Sequence, residues 1–516
     1  MHERPTIIAD RAGRQYAATK SDEHKKTHGQ YLTPEPVAEF MAGLYAPPKK
    51  DCIRVLDPGA GTGVLSCAIL ERLVGTPHIH LTAYEFDKGL LPLLHECLDY
   101  ARRWLATRGT ELVFDIRTAD FVLDNAHHMD GSLFHCTEEP YDVVISNPPY
   151  FKLNKADARA QAASFVVHGQ PNIYAIFMAI SAYMLRSGGE LVFIVPRSFA
   201  AGPYFRLFRE RFFALMRPEH IHLFGSRKDA FAKDEVLQEH VILRAKRQDG
   251  WKATGRATIT SSAGVGDLLD RSHRRSALLR DLVDLATVNK HLFIPTSDHD
   301  EQVIELVHSW HGNLHAFGFE ISTGPVVPFR ATEFITSDEA TPLLWMQHVV
   351  PMQVRHPIPM RKQQYIVSND DSAYLLLPNK NYVLLRRFSA KEEERRLIAA
   401  PYIAGEFQPH DLVGFENHVN YIHKPKGELS VEEAYGIAAL LNCRILDDYF
   451  RTYNGNTQVS ATELRSTPLP PLETIRQIGA KVREARMSNG ILNDYVSTVL
   501  MNRGNDGKAG RRASHP

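Results

Sequence analysis

Short apolar segments alternate with longer segments of helical periodicity through the first half of the chain. The predicted strands are 54–57, 80–87, 112–121, 141–146, 190–196, 221–224 and 236–243, and the clearest helix is 173–185. Strands that alternate with helices indicate a mostly parallel sheet that is covered on both faces. The last two strands are close enough in sequence to form an antiparallel hairpin at the edge of this sheet.

The segment 54–65 joins a strand end, a glycine-rich turn and a helix start. Gly59, Gly61 and Gly63 follow Asp57, where the apolar strand ends. Glycines at such a turn allow the backbone to approach a ligand where a Cβ would clash. No phosphate-loop motif is present, and a carboxylate at Asp57 favours a cationic ligand. A sulfonium-bearing nucleoside therefore fits this turn better than NAD or ATP.

Two further acids lie at the ends of the next predicted strands. Glu85 ends the second strand, roughly 20 residues after the glycines, which is the spacing of an acid that binds the hydroxyls of a ribose. Asp120 and Phe121 end the third strand. Asp120 could accept a hydrogen bond from an adenine amine, while Phe121 packs on the ring. These residues are the predicted remainder of a nucleoside site.

Asn147-Pro148-Pro149-Tyr150 follows the apolar strand 141–146. Neither proline has an N–H for the strand ladder, and each holds its predecessor in an extended conformation. The result is a rigid loop that presents an amide, free carbonyls and an aromatic face. These groups could hold a planar amine and aim its nitrogen at an electrophile, although a proline-terminated strand is the simpler interpretation of four residues alone.

Taken together, the motifs resemble the gamma class of S-adenosylmethionine-dependent DNA adenine-N6 methyltransferases of type II restriction–modification systems. The segment 29–34, Gly-Gln-Tyr-Leu-Thr-Pro, adds to the resemblance. In that class it lies over the methionine end of the cofactor, which implies cofactor contacts for Tyr31 and Thr33. Thr33 is also a plausible helix N-cap, and the two roles are compatible.

The resemblance implies a Rossmann-like α/β methyltransferase fold with a mixed seven-stranded sheet, followed by a C-terminal α+β target-recognition domain. It implies that Asn147 and the Pro148 carbonyl accept from an adenine amine, and that Tyr150 stacks on the base after the base has been flipped. Phe231, in the loop between the last two strands, either stacks on the other face or caps the hairpin.

The second half of the chain lacks the alternation of strands and helices. The predicted division is a flexible segment 1–24, a catalytic domain 25–248, a target-recognition domain 255–475, a C-terminal helix 476–502 and a disordered tail 503–516. The polar segment 453–470 contains residues of the types that pair with bases in the major groove, and it also suits a polar turn. The candidate DNA-recognition residues there are Asn454, Asn456, Thr457 and Gln458.

Composition is that of a globular intracellular protein, with 44% hydrophobic and 23% charged residues among 516. The five cysteines lack Cys-x-x-Cys spacing, so neither disulfides nor a metal site is predicted. No apolar segment of about 18 residues suggests a membrane span, and a cytoplasmic location is expected. The net charge of +0 requires the basic residues of a DNA-binding protein to be clustered.

Two other enzyme classes share the Asn-Pro-Pro-Tyr loop, namely protein glutamine-N5 methyltransferases and RNA adenine methyltransferases. The segment 29–34 and the roughly 250 residues after the predicted catalytic fold favour the DNA enzyme. The expected partners are double-stranded DNA and a separately encoded restriction endonuclease that forms no stable complex with the protein. Because one active site per chain suffices, we expect a monomer without a nuclease of its own.

Overall fold

The computed structural model describes residues 3–19, 32–129, 139–225, 239–268, 273–389, 393–407, 409–455, 457–485, 487 and 489–512. The chain divides into two compact units, Met1–Thr296 and Ser297–Pro516. None of the helices within the described residues is both long enough and apolar enough to cross a membrane.

A mixed sheet forms the centre of the first unit, and its order within the described residues is β3-β2-β1-β4-β5-β7-β6-β8-β9. Strands β1 to β5 pair in parallel, whereas β7 is antiparallel to both β5 and β6. The expected seven-stranded mixed sheet is thereby confirmed, and two strands extend it. The bounds are β1 Cys52–Pro58, β2 His78–Tyr84, β3 Glu111–Arg117, β4 Tyr141–Ser146, β5 Leu185–Pro196, β6 Met216–Phe224, β7 His240–Arg247, β8 Arg256–Ser262 and β9 Arg275–Leu278.

Helices cover both faces of this sheet because the strands are apolar on both sides. Each face has its own buried core, one including α2, α3 and α4 and the other including α7 and α8. Helix α7 is buried on almost every side, which explains why its sequence is apolar without a polar face. The bounds are α1 Pro5–Ala18, α2 Glu35–Leu44, α3 Val64–Arg72, α4 Leu91–Ala106, α5 Phe121–Asn125, α6 Ala158–Ala162, α7 Ile173–Met184, α8 Arg206–Leu215 and α9 Leu279–Leu282.

Two predicted boundaries of the first unit are wrong. The segment 1–24, predicted to be flexible, contains helix α1, where Ala9 is fully buried and Thr6 is anchored to Glu71 by hydrogen bonds of 2.8 and 2.7 Å. The unit also continues past residue 248 to Thr296, because β8 pairs with β6 and β9 pairs with β8. Both features depend on contacts that are distant in sequence.

The second unit contains smaller sheets flanked by helices, which confirms its α+β class. Within the described residues the sheet orders are β10-β20-β17-β18, β11-β15-β12-β19-β16 and β13-β14. The strands are β10 Glu320–Thr323, β11 Ile335–Thr336, β12 Thr341–Leu344, β13 Val349–Val350, β14 Gln353–Val354, β15 Tyr365–Ile366, β16 Leu376–Pro378, β17 Tyr382–Arg386, β18 Ala399–Tyr402, β19 Leu412–Phe415 and β20 Val419–His423.

The second unit begins with an α-helix, and its other α-helices among the described residues lie in its C-terminal part. Their bounds are α10 Asp298–His308, α11 Val431–Leu441, α12 Arg444–Tyr453, α13 Ala461–Arg465, α14 Leu472–Ala485 and α15 Asn489–Arg512. Two helices therefore replace the single C-terminal helix predicted over 476–502. The backbone of α15 is helical through residues 503–512, where a disordered tail was predicted, and residues 513–516 lie outside the described part.

Helices α11 and α14 pack with their backbones in contact at two glycines. A Cβ on Gly479 would lie 1.8 Å from the Glu432 carbonyl oxygen, and one on Gly436 would lie 2.1 Å from the Ile475 carbonyl oxygen. Backbone atoms cannot move aside as the end of a flexible side chain can. A methyl group at either glycine must therefore separate the two helices.

Gly479→Ala should lower the stability of the second unit by about 2 kcal/mol or more, since overpacked sites typically cost 1–3 kcal/mol. Urea unfolding of the full chain would measure the change. The matched control is Gly490→Ala in α15, where a Cβ meets nothing within 4 Å and the helix propensity of alanine should slightly stabilise the protein. Equal stability of the two variants would contradict the close helix contact.

Candidate functional site

The turn between β1 and α3, residues 58–63, forms a glycine loop that is tied to the neighbouring strand. Gly59, Gly61 and Gly63 all have positive φ values, of 82°, 61° and 83°. The N–H groups of Gly59 and Ala60 donate to the Tyr84 carbonyl at 2.9 and 2.8 Å. Only glycine adopts such φ values without strain, so the three predicted glycines are required by the backbone of the turn.

Asp57 lies fully buried at the start of this loop. Its Oδ2 accepts from the Ser66 hydroxyl at 2.6 Å, whereas Oδ1 is buried without a hydrogen-bond partner among the described residues. Burial raises the pKa of Asp57 to about 7; the Ser66 hydrogen bond opposes this shift and Glu85 adds to it. An unsatisfied buried carboxylate oxygen is costly, so a cationic or hydrogen-bond-donating ligand group fits beside it.

Glu85 follows β2, and it links the glycine loop to the next turn. Its carboxylate accepts from the Gly61 N–H at 2.8 Å and from the Asp87 N–H at 2.7 Å. Burial raises the pKa of Glu85 to about 7, although the two N–H groups oppose the shift. Phe86, the next residue, exposes 70% of its surface. An exposed aromatic ring beside a carboxylate suits a nucleoside. Phe86 was not among the predicted site residues, although its position directly after Glu85 could have indicated it.

Asp120 and Phe121 have structural roles that the sequence did not indicate. Asp120 caps helix α5, because its Oδ1 accepts from the N–H groups of Val122 at 2.9 Å and Leu123 at 3.1 Å. Phe121 is 3% exposed and packs against Tyr84, with 5.1 Å between the ring centroids. The nucleoside contacts of Asp120 and Phe121 stay predictions.

The Asn-Pro-Pro-Tyr loop lies next to the glycine loop. Strands β1 and β4 are parallel neighbours, and the Ser146 hydroxyl donates to the Pro58 carbonyl at 2.5 Å. A Cβ on Gly59 would lie 3.9 Å from both the Asn147 carbonyl oxygen and the Pro149 side chain. The two motifs that the sequence separates by about ninety residues therefore meet at one edge of the sheet.

Hydrogen bonds orient the Asn147 side chain. Its Nδ2 donates to the Thr33 hydroxyl at 3.0 Å, and its Oδ1 accepts from the Tyr150 hydroxyl, which also lies 2.8 Å from the Ile194 carbonyl oxygen. The ring of Tyr150 lies 5.4 Å from that of His240. Thr33 thus holds the amide so that its oxygen, and not its nitrogen, is presented on the side of Tyr150.

Helix α1 provides a tyrosine that donates a hydrogen bond to one of the acids next to the glycine loop. The Tyr16 hydroxyl donates to Asp87 Oδ2 at 2.7 Å, and Asp87 in turn holds Glu85 through its N–H. The Thr62 hydroxyl of the glycine loop donates to the Ala9 carbonyl at 2.9 Å. Sequence reasoning missed this helix because no local motif marks contacts between residues that are 53 and 71 positions apart.

Three of the predicted site residues, Tyr31, Phe231 and Asn456, lie outside the described residues. In the second unit, Asn454 is 2% exposed, donates to Glu463 at 2.8 Å and accepts from Arg396 at 3.3 Å. This burial contradicts the predicted base contact of Asn454. Of the other two candidates, Thr457 is exposed and Gln458 is half-buried.

Comparison with known proteins identifies the family. The Eco57I restriction-modification methylase family matches residues 112–231. The type II methyltransferase M.BsuBI of Bacillus subtilis is 34% identical over 493 residues, covering 91% of this chain and 95% of that protein. The type II methyltransferase M.PstI of Providencia stuartii is 30% identical over 500 residues, covering 96% and 97%. The chain belongs to the type II methyltransferase family.

A cryoEM structure of a DrdV–DNA complex aligns with 92% of this chain and 59% of that chain, at 12% identity and a TM-score of 0.49. The nearly full-length matches to type II methyltransferases do not favour the protein glutamine or RNA alternatives. They confirm a DNA methyltransferase of a restriction–modification system that depends on S-adenosylmethionine.

The residues next to the glycine loop fit this cofactor. The free Oδ1 of Asp57 suits a positively charged group, Glu85 can accept from ribose hydroxyls, and the Phe86 ring can cover an adenine. When bound, S-adenosylmethionine supplies a methyl group activated by a sulfonium.

Cofactor affinity should rise as the pH increases from 6 to 8, since the ionised form of Asp57 attracts a cation and its pKa is about 7. Below that pKa, protonation of this single group lowers the cofactor affinity by up to about tenfold per pH unit. The same raised pKa stabilises the cofactor-free protein most at low pH, and this stabilisation is lost as the pH rises through 7. Calorimetric titration at three pH values would measure the affinity.

Asp57→Asn is the matched variant for this pH dependence. It should bind S-adenosylmethionine more weakly at pH 8 and show a flatter pH profile, because the amide cannot ionise. A variant that keeps the wild-type profile would assign the dependence to another group.

Proposed function

We propose that this chain transfers the methyl group of S-adenosylmethionine to N6 of an adenine in double-stranded DNA. The observation that carries the proposal is the position of Asn147 and Pro149 against the glycine loop, with the Asn147 amide held by Thr33. A methylated amine needs acceptors for its hydrogens beside the methyl donor. The relatives M.BsuBI and M.PstI, which are named type II methyltransferases, support DNA as the substrate.

The amine of adenine is a poor nucleophile because its lone pair is delocalised into the ring. The Asn147 Oδ1 and the Pro148 carbonyl accept its two hydrogens and draw the nitrogen towards a tetrahedral geometry. As the N–C bond forms and the C–S bond breaks, the nitrogen loses one proton to water. The Tyr150 hydroxyl releases Oδ1 when the amine binds. Positioning and fixed dipoles supply the rate, without a general base of tuned pKa.

The adenine leaves the duplex to reach these groups, since N6 of a stacked base cannot enter a site at the edge of the sheet. Tyr150 stacks on the flipped base, with a contribution on the order of 1–3 kcal/mol. Phe231, outside the described residues, is the proposed second stacking residue.

The second unit selects the DNA sequence, and the first unit catalyses the transfer. The enzyme acts as a monomer in the cytoplasm, where its product protects host DNA. A separately encoded endonuclease supplies the cleavage, in keeping with relatives that are named as methyltransferases and are covered over 95% and 97% of their length.

Asn147→Ala should lower DNA methylation at least about hundredfold, the scale of losing one transition-state hydrogen-bonding group. Cofactor affinity should change less than twofold, because Asp57 and Glu85 remain. Transfer of labelled methyl groups to plasmid DNA would measure the rate. The matched control is Asn154→Ala, an exposed asparagine seven positions later, which should keep full activity; an active Asn147→Ala variant would refute the assigned role.

A 2-aminopurine at the target position should become brighter on binding, because the flipped base loses its stacked neighbours in the duplex. Fluorescence titration would detect the change, with a duplex that contains the recognition site and carries 2-aminopurine in place of the target adenine. The same probe placed two positions away is the control and should stay dim. An unchanged signal at the target in a specific complex would contradict base flipping.

The purified protein should leave DNA uncut in the presence of Mg²⁺ and should sediment as one chain. Gel analysis of plasmid DNA and analytical ultracentrifugation would measure both properties. Cleavage by the protein alone, or a stable dimer, would contradict the corresponding part of the proposal.

A further inference from the structure

Two loops of the second unit surround one small apolar core. The first loop, 324–331, contributes Val326 and Ala331, and the second loop, 355–364, packs Met360 against the same core. The core also includes Leu343, Trp345, Ile366, Leu375 and Leu376. Both loops therefore border the same core.

The second loop is held by a partly buried clamp. The Gln364 side chain accepts from the Ile358 N–H at 2.9 Å, donates to the Ile358 carbonyl at 2.7 Å and contacts the ring of His348 at 2.8 Å. His348 is fully buried, and the Trp345 indole donates to the Gln363 carbonyl at 2.8 Å. The loop is therefore fixed in shape before any partner binds.

Phe329, Arg330, Arg361 and Lys362 are exposed on these two loops, and together they form what we call the basic rim. Phe329 exposes 76% of its surface and has the Arg330 guanidinium 5.3 Å from its ring centroid. Lys362 places its ammonium 4.2 Å from the ring centroid of Trp345. Residues 324–331 and 355–364 contain no aspartate or glutamate, and the buried Glu416, outside these loops, interacts with Lys362.

Arg330 and Arg361 differ from the other arginines of their unit whose side chains the structure describes. Neither guanidinium has a hydrogen-bond or ion-pair partner among the described residues. Four exposed or half-buried arginines of the C-terminal helices instead form ion pairs, namely Arg444 with Asp448, Arg451 with Asp447, Arg476 with Glu433 and Arg483 with Glu432. In a chain of net charge +0, such unpaired cations beside an exposed aromatic ring mark a surface for a polyanion.

We propose that the basic rim is the surface through which the second unit contacts its target DNA, an inference that rests on the proposed function. The guanidinium fork of Arg330 or Arg361 fits the acceptor edge of guanine or a phosphate, and Phe329 offers an apolar contact for a base. The rim thus takes the place of Asn454, whose burial excludes it from direct contact. The rigid backbone of the clamped loop reduces the ordering cost of binding.

The test uses the full-length enzyme and its own target site, identified by sequencing N6-methyladenine in DNA of an expressing host. Arg330→Ala and Arg361→Ala should each weaken binding to a duplex with this site about tenfold, within the range for one bidentate arginine contact. The dependence of affinity on salt should become shallower for each lost phosphate contact. Cofactor affinity, measured without DNA, should be unchanged.

Arg483→Ala is the matched control, an exposed arginine on α14 that should bind the duplex within twofold of the wild type. Arg330→Lys and Arg361→Lys keep the positive charge and control for misfolding. They should lose less DNA affinity than the alanine variants because the charge remains, and some affinity should still be lost because lysine lacks the guanidinium fork. A relaxed methylation motif in the variants would support base contacts, and a uniform loss would support phosphate contacts.

The double variant Arg330→Ala, Arg361→Ala provides the decisive test. If it is folded and keeps the wild-type DNA affinity and methylation motif, the basic rim does not bind DNA. A wild-type enzyme that methylates no DNA would overturn the proposed function and the rim with it. The wild-type activity therefore separates the two failures.

Discussion

The parallel pairing of β1 with β4 is the constraint on which the site depends. Val55 lies opposite Val143, so both strands end at the same edge of the sheet, where the glycine loop and the Asn-Pro-Pro-Tyr loop begin. This is also where the strand order reverses, because β2 and β3 lie on one side of β1 and β5 lies on the other side of β4. Ligands of open α/β sheets bind at such a reversal.

The second constraint on the site is that two carboxylates are buried at this edge of the sheet. Burial raises the pKa of Asp57 and of Glu85 to about 7, and nearby like charges add to both shifts, Glu85 for Asp57 and Asp87 for Glu85. The N–H groups of Gly61 and Asp87 satisfy Glu85, whereas one oxygen of Asp57 keeps no partner among the described residues. A cationic ligand relieves this cost, so part of the binding energy comes from a charge that the folded protein holds unfavourably.

The sequence predicted what local patterns control. The turn requires positive φ values that glycines adopt without strain, the prolines end a strand, and the alternation of strands and helices indicates the sheet. It failed where contacts are distant: the packing of α1, the extension of the first unit to Thr296 and the ion pairs of the second unit. Asn454 shows a further limit, because its polar type indicates hydrogen bonding without indicating whether the partner is DNA or a buried glutamate.

Net neutrality has a consequence for how such an enzyme finds its site. Non-specific affinity for DNA comes almost entirely from released counterions, and therefore from cations that are free to meet phosphates. When most arginines of the second unit are held by acids or carbonyls, few cations remain for random sequences. Binding then relies on a small preformed surface, where a correct base contributes about 1–3 kcal/mol. Weak non-specific binding leaves the modification enzyme available for its few target sites, because specificity depends on the ratio of its affinity for the target to its affinity for other DNA.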